Sequence, residues 1–437
     1  MERSEILEIL QYWNFWKDER WTGIARNSYV DELCRQSGLK EVSIVTGVRR
    51  SGKSIIILQV LKRLVDSGTD KKNTLYINLE EPAFAGNLNL KFLLKIYDIY
   101  LESFNPKGKI YIFLDEIHLV PGWERFVRGL YDRSENIKFY ITGSSSRLLS
   151  KEYGTSLTGR VYSNEVFPLD FKEFLLFKKM QHELEDLTGK GSPALRNLFI
   201  EYMEYGGFPQ IVLTIDKRDK LLLLKEYYSA IIEKDIAQRN NIKDIRKLKD
   251  FCINIITNIS TTYSGYRAAK NQEISQPTAN KYLEYLEETY LVLKINYFDY
   301  SFIRQKAHPY KIYSIDSGLY NAVSFKFSKN LGRVFENIIF LALREKDIEI
   351  FYWKDEKGRE VDFMMRQGDE IVSLINACWE LNGENEKRET ATLLSAMEKY
   401  GLNEALIVTS GYSKNIEIEN KKIIVKNIFE LLNNQRN

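Results

Sequence analysis

The sequence predicts an α/β protein whose first part is a parallel sheet flanked by helices, and three observations carry that reading. Short apolar segments alternate with helical patterns from residue 41 to about 165, the order of a sheet whose strands are joined by crossover helices. Residues 47–54 read Gly-Val-Arg-Arg-Ser-Gly-Lys-Ser and satisfy the P-loop pattern G-x-x-x-x-G-K-[ST] at every fixed position. That loop follows an apolar segment and precedes an apolar helical run, so strand, loop and helix stand in the order that phosphate binding requires.

Residues 1–40 form an aromatic-rich helical pattern with Ile6, Leu7, Leu10, Trp13 and Trp16. Phe15, Trp16 and Trp21 are read as packing residues, with contact to adenine as the alternative. Strands are expected at 42–46, 74–79, 109–114, 137–142 and 160–166. In the loop, Gly47 and Gly52 let the backbone turn its N–H groups inward around phosphate oxygens, where the start of the following helix adds a favourable dipole. The expected ATP-binding residues are therefore Gly47, Val48, Arg49, Arg50, Ser51, Gly52, Lys53, Ser54 and Ile55. Lys53 would reach the β- and γ-phosphates, and the Ser54 hydroxyl would ligate Mg2+. Glu80 and Glu81, closing the second strand, either line the cleft or are simply solvated.

The strand 109–114 ends in two acids, Asp115 and Glu116. Asp115 is expected to hold Mg2+ through its water shell and Glu116 to polarise an attacking water. His118 is read as a loop residue. The next strand ends in Thr142 and then Gly143, Ser144, Ser145 and Ser146, and either Ser144 or Thr142 would sense the γ-phosphate. Arg160 would neutralise phosphate charge in cis or across a subunit interface, or else be an ordinary surface arginine.

Residues 45–54, Leu114-Asp115-Glu116-Ile117 and Ile141-Thr142-Gly143-Ser144-Ser145 together resemble the AAA+ ATPases of the origin-recognition-like group. More narrowly, they resemble prokaryotic ATP-binding proteins that join such a core to a C-terminal domain of unknown function. Leu157-Thr158-Gly159-Arg160, Phe167-Pro168-Leu169-Asp170-Phe171 and Tyr205-Gly206-Gly207-Phe208-Pro209 extend the resemblance over nearly the whole chain. It implies a P-loop ATPase core at 41–165 behind the N-terminal helical segment 1–40. A helical lid follows at 166–240, with helices at 171–180, 194–204 and 220–238 and a sharp turn at Gly206-Gly207.

Residues 241–330 show three helical patterns leading into paired strands at 292–297 and 311–314, and look like a winged helix-turn-helix. Were it to bind DNA, the helix opened by Ser275-Gln276-Pro277 would present Gln276, Thr278, Asn280 and Lys281 to the groove. Lys270, Lys281 and Arg304 are the candidates for nucleic-acid contact, with Arg267 and Lys306 in support. Glu284, Glu287 and Glu288 on the same helix oppose phosphate, so packing alone and contact with a protein stay open. Residues 331–437 are similar to the restriction-endonuclease-like α/β fold, and the resemblance assigns Glu336 and Asp362 to its acid positions. Where related chains carry a further acid and a lysine, this one has Asn376 and Cys378, a neutral amide and a soft thiol that do not restore a site for a hard cation. The expectation is a degenerate nuclease site, with Glu380 on the face of Cys378 as the residue that could migrate into the role.

Composition narrows the classes. With 437 residues, 44% hydrophobic and 28% charged, the chain suffices for about two to four packed domains, and a net charge of +3 implies no polyanion partner by bulk charge. No apolar run approaches the ~20 residues of a membrane span, and the first residues carry no secretory pattern. Three scattered cysteines, Cys34, Cys252 and Cys378, fit a reducing cytoplasm better than a disulfide framework. Three histidines exclude His-rich metal centres. The expected function is an AAA+ ATPase with ATP and Mg2+ as cofactors, acting as a molecular switch, alone or as a homo-oligomer, on a nucleic-acid or protein partner. The alternatives are an ATP-linked DNA nuclease and a nucleotide-binding scaffold with negligible turnover.

Overall fold

The computed structural model describes residues 1–144, 157–180, 192–324, 331–344 and 348–433, so Ser145 and Ser146 lie outside the described residues. The chain divides into two compact units, Met1–Phe167 and Pro168–Asn437.

In the first unit, β1 (Val42–Thr46), β2 (Thr74–Asn78), β3 (Ile110–Asp115), β4 (Ile137–Gly143) and β5 (Val161–Glu165) form one sheet in the order β2-β3-β4-β1-β5. Every pairing is parallel. Such a sheet must be covered on both faces, which explains why the central strands are apolar at nearly every position. Successive residues go to opposite sides. Val42, Ile44, Leu75, Ile77, Ile112 and Leu114 join a core shared with the helices Arg3–Trp13, Leu90–Phe104 and Trp123–Arg133. Val45, Tyr76 and Phe113 face the helices Asn27–Arg35 and Lys53–Asp66. The edge of β2 is covered by Asn14, whose side chain donates to the Tyr76 carbonyl and accepts from the Tyr76 N–H, at 2.8 and 2.7 Å. β4 lies between β1 and β3, and the carboxyl ends of strands ordered in this way are where such sheets bind ligands.

The second unit holds a nine-stranded mixed sheet in the order β13-β14-β12-β11-β10-β9-β7-β8-β6. Its strands are β6 (Thr261–Tyr263), β7 (Val292–Tyr297), β8 (Tyr310–Ser314), β9 (Glu349–Lys354), β10 (Glu360–Gln367), β11 (Glu370–Cys378), β12 (Glu404–Thr409), β13 (Lys414–Ile418) and β14 (Lys421–Asn427). β7 pairs with β9 in parallel, Asn296 opposite Phe351 and Tyr297 opposite Tyr352. The expected boundaries at 240 and 330 therefore fall inside one unit, and the second of them falls inside a continuous sheet. The expected helix at 220–238 is instead an α-helix, Lys217–Ala230, continued by a π-helical stretch, Ile231–Gln238.

The Gly206-Gly207 turn is dictated by space. A Cβ on Gly206, at φ +74°, would sit 2.0 Å from the Asp316 carboxylate, and one on Gly207 would sit 2.1 Å from the Leu169 carbonyl oxygen. Asp316, itself buried, accepts from the N–H groups of Gly207, Gly318 and Leu319 at 2.7, 2.8 and 3.2 Å.

Candidate nucleotide site

Gly47 leaves β1 at φ +142°, and a Cβ there would lie 2.1 Å from the Val166 carbonyl oxygen, so only glycine fits. Gly52, at φ 99° and in the left-handed region, opens the helix Lys53–Asp66, whose first N–H groups are free of intrahelical partners and face an anion favourably. The loop is held from behind by a residue that the sequence reading missed. Arg26 is buried and donates through Nη1 to the Ser51 carbonyl and to the Phe167 carbonyl, both at 2.9 Å. An arginine in a polar N-terminal stretch gives no local signal of such a role.

Lys53 is 4% exposed, and its ammonium donates to the carbonyls of Gly47 and Val48 at 2.9 and 3.0 Å. Ser54 Oγ donates to Asp115 Oδ1 at 3.0 Å. Thr142 Oγ1 donates to the same Asp115 oxygen and accepts from the Glu116 N–H at 2.9 Å. The Tyr76 hydroxyl donates to Asp115 Oδ2 at 2.7 Å, another contact that the sequence reading did not foresee. Between the two sensor candidates, the structure brings Thr142 to the acids. Ser144 Oγ and Ser51 Oγ are buried without a hydrogen-bond partner among the described residues.

Asp115 and Glu116 are adjacent carboxyls with different electrostatics. Burial pushes Asp115 up and the neighbouring Glu116 charge adds to this, against hydrogen bonds from Thr142, Tyr76 and Ser54. Burial also works to raise Glu116, but the His118 ring beside it and the Lys53 and Arg49 charges outweigh it and hold that carboxyl below the usual range. His118 Nδ1 lies 3.1 Å from Glu116 Oε2, off hydrogen-bond alignment, so the two meet as charges when the ring is protonated. His118 is thus part of the acid site, where the sequence reading left it a plain loop residue. Ionised carboxylate is the form that accepts a proton from water.

A divalent ion fits this donor set. The Ser54 hydroxyl and the Asp115 carboxylate, 3.0 Å apart, are hard oxygen donors close enough to share one coordination sphere. Arg49 lies 3.4 Å from Glu80, which puts Glu80 beside the loop, while Glu81 accepts from Trp13 Nε1 at 2.8 Å. Among the aromatic residues, Phe15 is buried and Trp16 packs on Phe104 and Tyr100. Trp21 is 79% exposed and lies with Gly23 near Ile55 at the head of the P-loop helix.

Arg160 requires a correction. Its carbonyl accepts from the N–H of Val42, the first residue of β1, so it stands at the amino end of the sheet, about 16 Å along the strand from the loop. Its Nη1 donates to Asp132 Oδ1 at 2.7 Å and its guanidinium lies over the Tyr131 ring. A role in cis at the phosphates is excluded by that placement.

The second unit contains an acid cluster around a residue outside the expected set. Glu336 and Asp362 do meet, but through Lys311 of β8, whose ammonium is 2.7 Å from Glu336, 2.8 Å from Asp362 and 2.5 Å from Glu360. Asn376 Oδ1 accepts from the Asp362 N–H at 3.2 Å, and Asn376 Nδ2 donates to Glu389 at 2.8 Å. Cys378 belongs instead to the hydrophobic cluster under β10–β12, and its thiol donates to the Glu380 carbonyl at 3.2 Å. β11 ends at Cys378 and Glu380 is exposed, so Glu380 does not join the acid cluster.

The fold and the P-loop geometry define a P-loop ATPase-like protein of the AAA type, and residues 39–175 match the AAA domain family. Residues 196–330 and 331–429 match two families described only as domains of unknown function. The chain belongs to the same family as the uncharacterized protein MJ1544 of Methanocaldococcus jannaschii, with 36% identity over 88% of this chain and 86% of that one. An uncharacterized protein of Haemophilus influenzae is 30% identical over 92% of this chain and 97% of its own length. Among solved structures, the Walker-type ATPase PABY2304 of Pyrococcus abyssi is similar at 16% identity and a TM-score of 0.46, covering 69% of this chain and 95% of that one.

Proposed function

We propose that the chain is a Mg2+-dependent ATPase acting as a nucleotide-controlled switch, in which the state of the first unit governs binding of a nucleic-acid or protein partner by the second. The observation that carries this reading is the convergence of Lys53, Ser54, Asp115, Glu116 and Thr142 at the carboxyl ends of β1, β3 and β4. Lys53 and the loop amides would bind the phosphates, Ser54 and Asp115 would hold the ion, and Glu116 would take the proton from the attacking water. Bound Mg2+ would supply charge neutralisation at the phosphates. A scaffold with negligible turnover is disfavoured because every one of these groups is present and in place. Lys53→Ala should weaken ATP binding at least about tenfold, because a phosphate-facing charge-assisted bond of about 1.5–3 kcal/mol is lost. Titration with a fluorescent ATP analogue measures this, and an unchanged affinity would sink the nucleotide reading.

For the partner, residues 245–314 support a winged-helix reading: the helices Ile245–Ile256, Gly265–Asn271 and Gln276–Glu288 precede the antiparallel pair β7–β8. Lys270, Lys281 and Arg304 are all exposed. Lys281 lies 3.4 Å from Glu284 and Arg304 lies 3.6 Å from Asp299, pairs weak enough at the surface to be exchanged for phosphate. Charge reversal of Lys270 and Arg304 together should reduce the slope of log K against log salt by about 2 for duplex DNA. Fluorescence anisotropy with duplex and single-stranded oligonucleotides tests it, and no binding at about 50 mM salt, with or without ATP, would assign the switch to a protein partner. The ATP-linked nuclease has no comparable support, since the acids of the second unit are engaged by protein groups.

A further inference from the structure

The Lys311 side chain reaches the acid cluster from a strand paired on both sides. β8 runs between β7 and β6, with Lys311 opposite Ile295 on one side and Thr262 on the other, and the residue is 1% exposed. An ammonium withdrawn this far from water is tolerated only when its charge and its three donors are matched. Here they are matched one for one by Glu336 Oε1, Glu360 Oε1 and Asp362 Oδ1, at 2.7, 2.5 and 2.8 Å.

Further groups engage the cluster, two of them on oxygens that Lys311 does not reach. Tyr313 donates to Glu336 Oε1 at 2.9 Å, the Ala377 N–H donates to Asp362 Oδ2 at 2.9 Å, and Lys354 lies 2.9 Å from Glu360 Oε2. Burial works against the charge on Lys311, but Asp362, Glu336, Tyr313 and Glu360 outweigh it and keep the ammonium charged. With three carboxyl groups gathered round one tethered ammonium, and Lys354 beside Glu360, the place a cation would occupy is already taken.

We propose that Lys311 is the resident cation of a carboxylate site that would otherwise take a divalent metal ion, and that the chain keeps this site closed to Mg2+ and Mn2+ with its own ammonium. The proposal stands apart from the ATPase reading, because every group in it belongs to the second unit. Tethered to β8, the ammonium cannot diffuse away, so a metal ion would have to displace it without offering it another partner. Removing it leaves three hard carboxylates facing the space of a lysine side chain, a donor set suited to an octahedral ion with water completing its sphere.

The test uses the full-length chain in an Asp115→Asn background, so that the P-loop contributes no metal signal. Mn2+ binding is read by the loss of the free-ion electron paramagnetic resonance signal, and stability by thermal unfolding with and without Mn2+. With Lys311 in place, no Mn2+ binding should depend on Asp362. Lys311→Ala should bind one Mn2+ at least about tenfold more tightly than its parent and should unfold at a higher temperature when Mn2+ is added. Both effects should vanish when Asp362→Asn is added. Lys311→Met, which keeps the bulk of the stem, replaces the alanine variant if that fails to fold. Binding in the Lys311 parent that Asp362→Asn abolishes would overturn the proposal, and so would a folded Lys311→Ala or Lys311→Met protein that takes up no more Mn2+ than the parent. The parent comparison stands even if neither substituted protein folds.

Discussion

Glu116→Gln should still bind ATP while its turnover falls by about 10²–10⁴-fold, the usual worth of a positioned general base. The amide occupies nearly the same volume, and the groups that would hold the nucleotide, Lys53 with the loop amides and Ser54 with Asp115, do not depend on it. What is lost is the one carboxylate in the site held below its usual range, beside His118 and near Lys53 and Arg49. Asp115 is no substitute, because it is the carboxylate that would hold the ion, and Ser54, Thr142 and Tyr76 fix it in that position. Phosphate release measured alongside nucleotide affinity separates the two effects. Hydrolysis at the wild-type rate by the purified variant would move the base elsewhere, and loss of binding would make Glu116 a nucleotide-holding group instead.

The largest expected loss of stability comes from Asp316→Ala. Three backbone N–H groups, of Gly207, Gly318 and Leu319, would lose their acceptor in a buried place at about 1–3 kcal/mol each. The sum exceeds most single substitutions, and about 3–5 kcal/mol is expected in urea denaturation. A companion change isolates the charge. Burial raises the Asp316 carboxyl to about 6, against hydrogen bonds from the three N–H groups. A folded-state value above the unfolded one means that the folded protein binds the proton more tightly. This contribution is fully present below about pH 4 and is lost as the pH rises through about 6. Asp316→Asn, which keeps the acceptor for Gly318 and Leu319 and cannot ionise, should remove that fall from the difference between the two proteins' stability profiles. A parallel pair of profiles from pH 4 to pH 7, the window set by those two values, would show that Asp316 does not carry it.

The first unit was largely legible because its signals are local. β1 and the loop are specified by neighbours in the chain: an apolar run, Gly47 and Gly52 at positive φ, and a helix that begins at Lys53. β3 and its terminal acids were legible for the same reason, since a fully buried strand of five or six residues followed by Asp-Glu needs no distant partner to be recognised. The same local signals left the role of Arg160 open, because a residue just before a strand is read without knowing which end of the sheet it occupies. Nor do local signals show that the sheet runs on across the boundary at 330 through the pairing of β7 with β9.

By itself the sequence determined the P-loop and the acids that end β3, because each depends on residue types at fixed short spacing. The tertiary structure alone decided that Arg26 braces the loop from 25 residues away, that Tyr76 bonds Asp115 across 39, and that Lys311 meets Asp362 across 51. Side-chain periodicity reports on neighbours within about four residues. Which strand lies beside which is set by the packing of the whole sheet, and an ammonium finds its carboxylates only after that packing is complete.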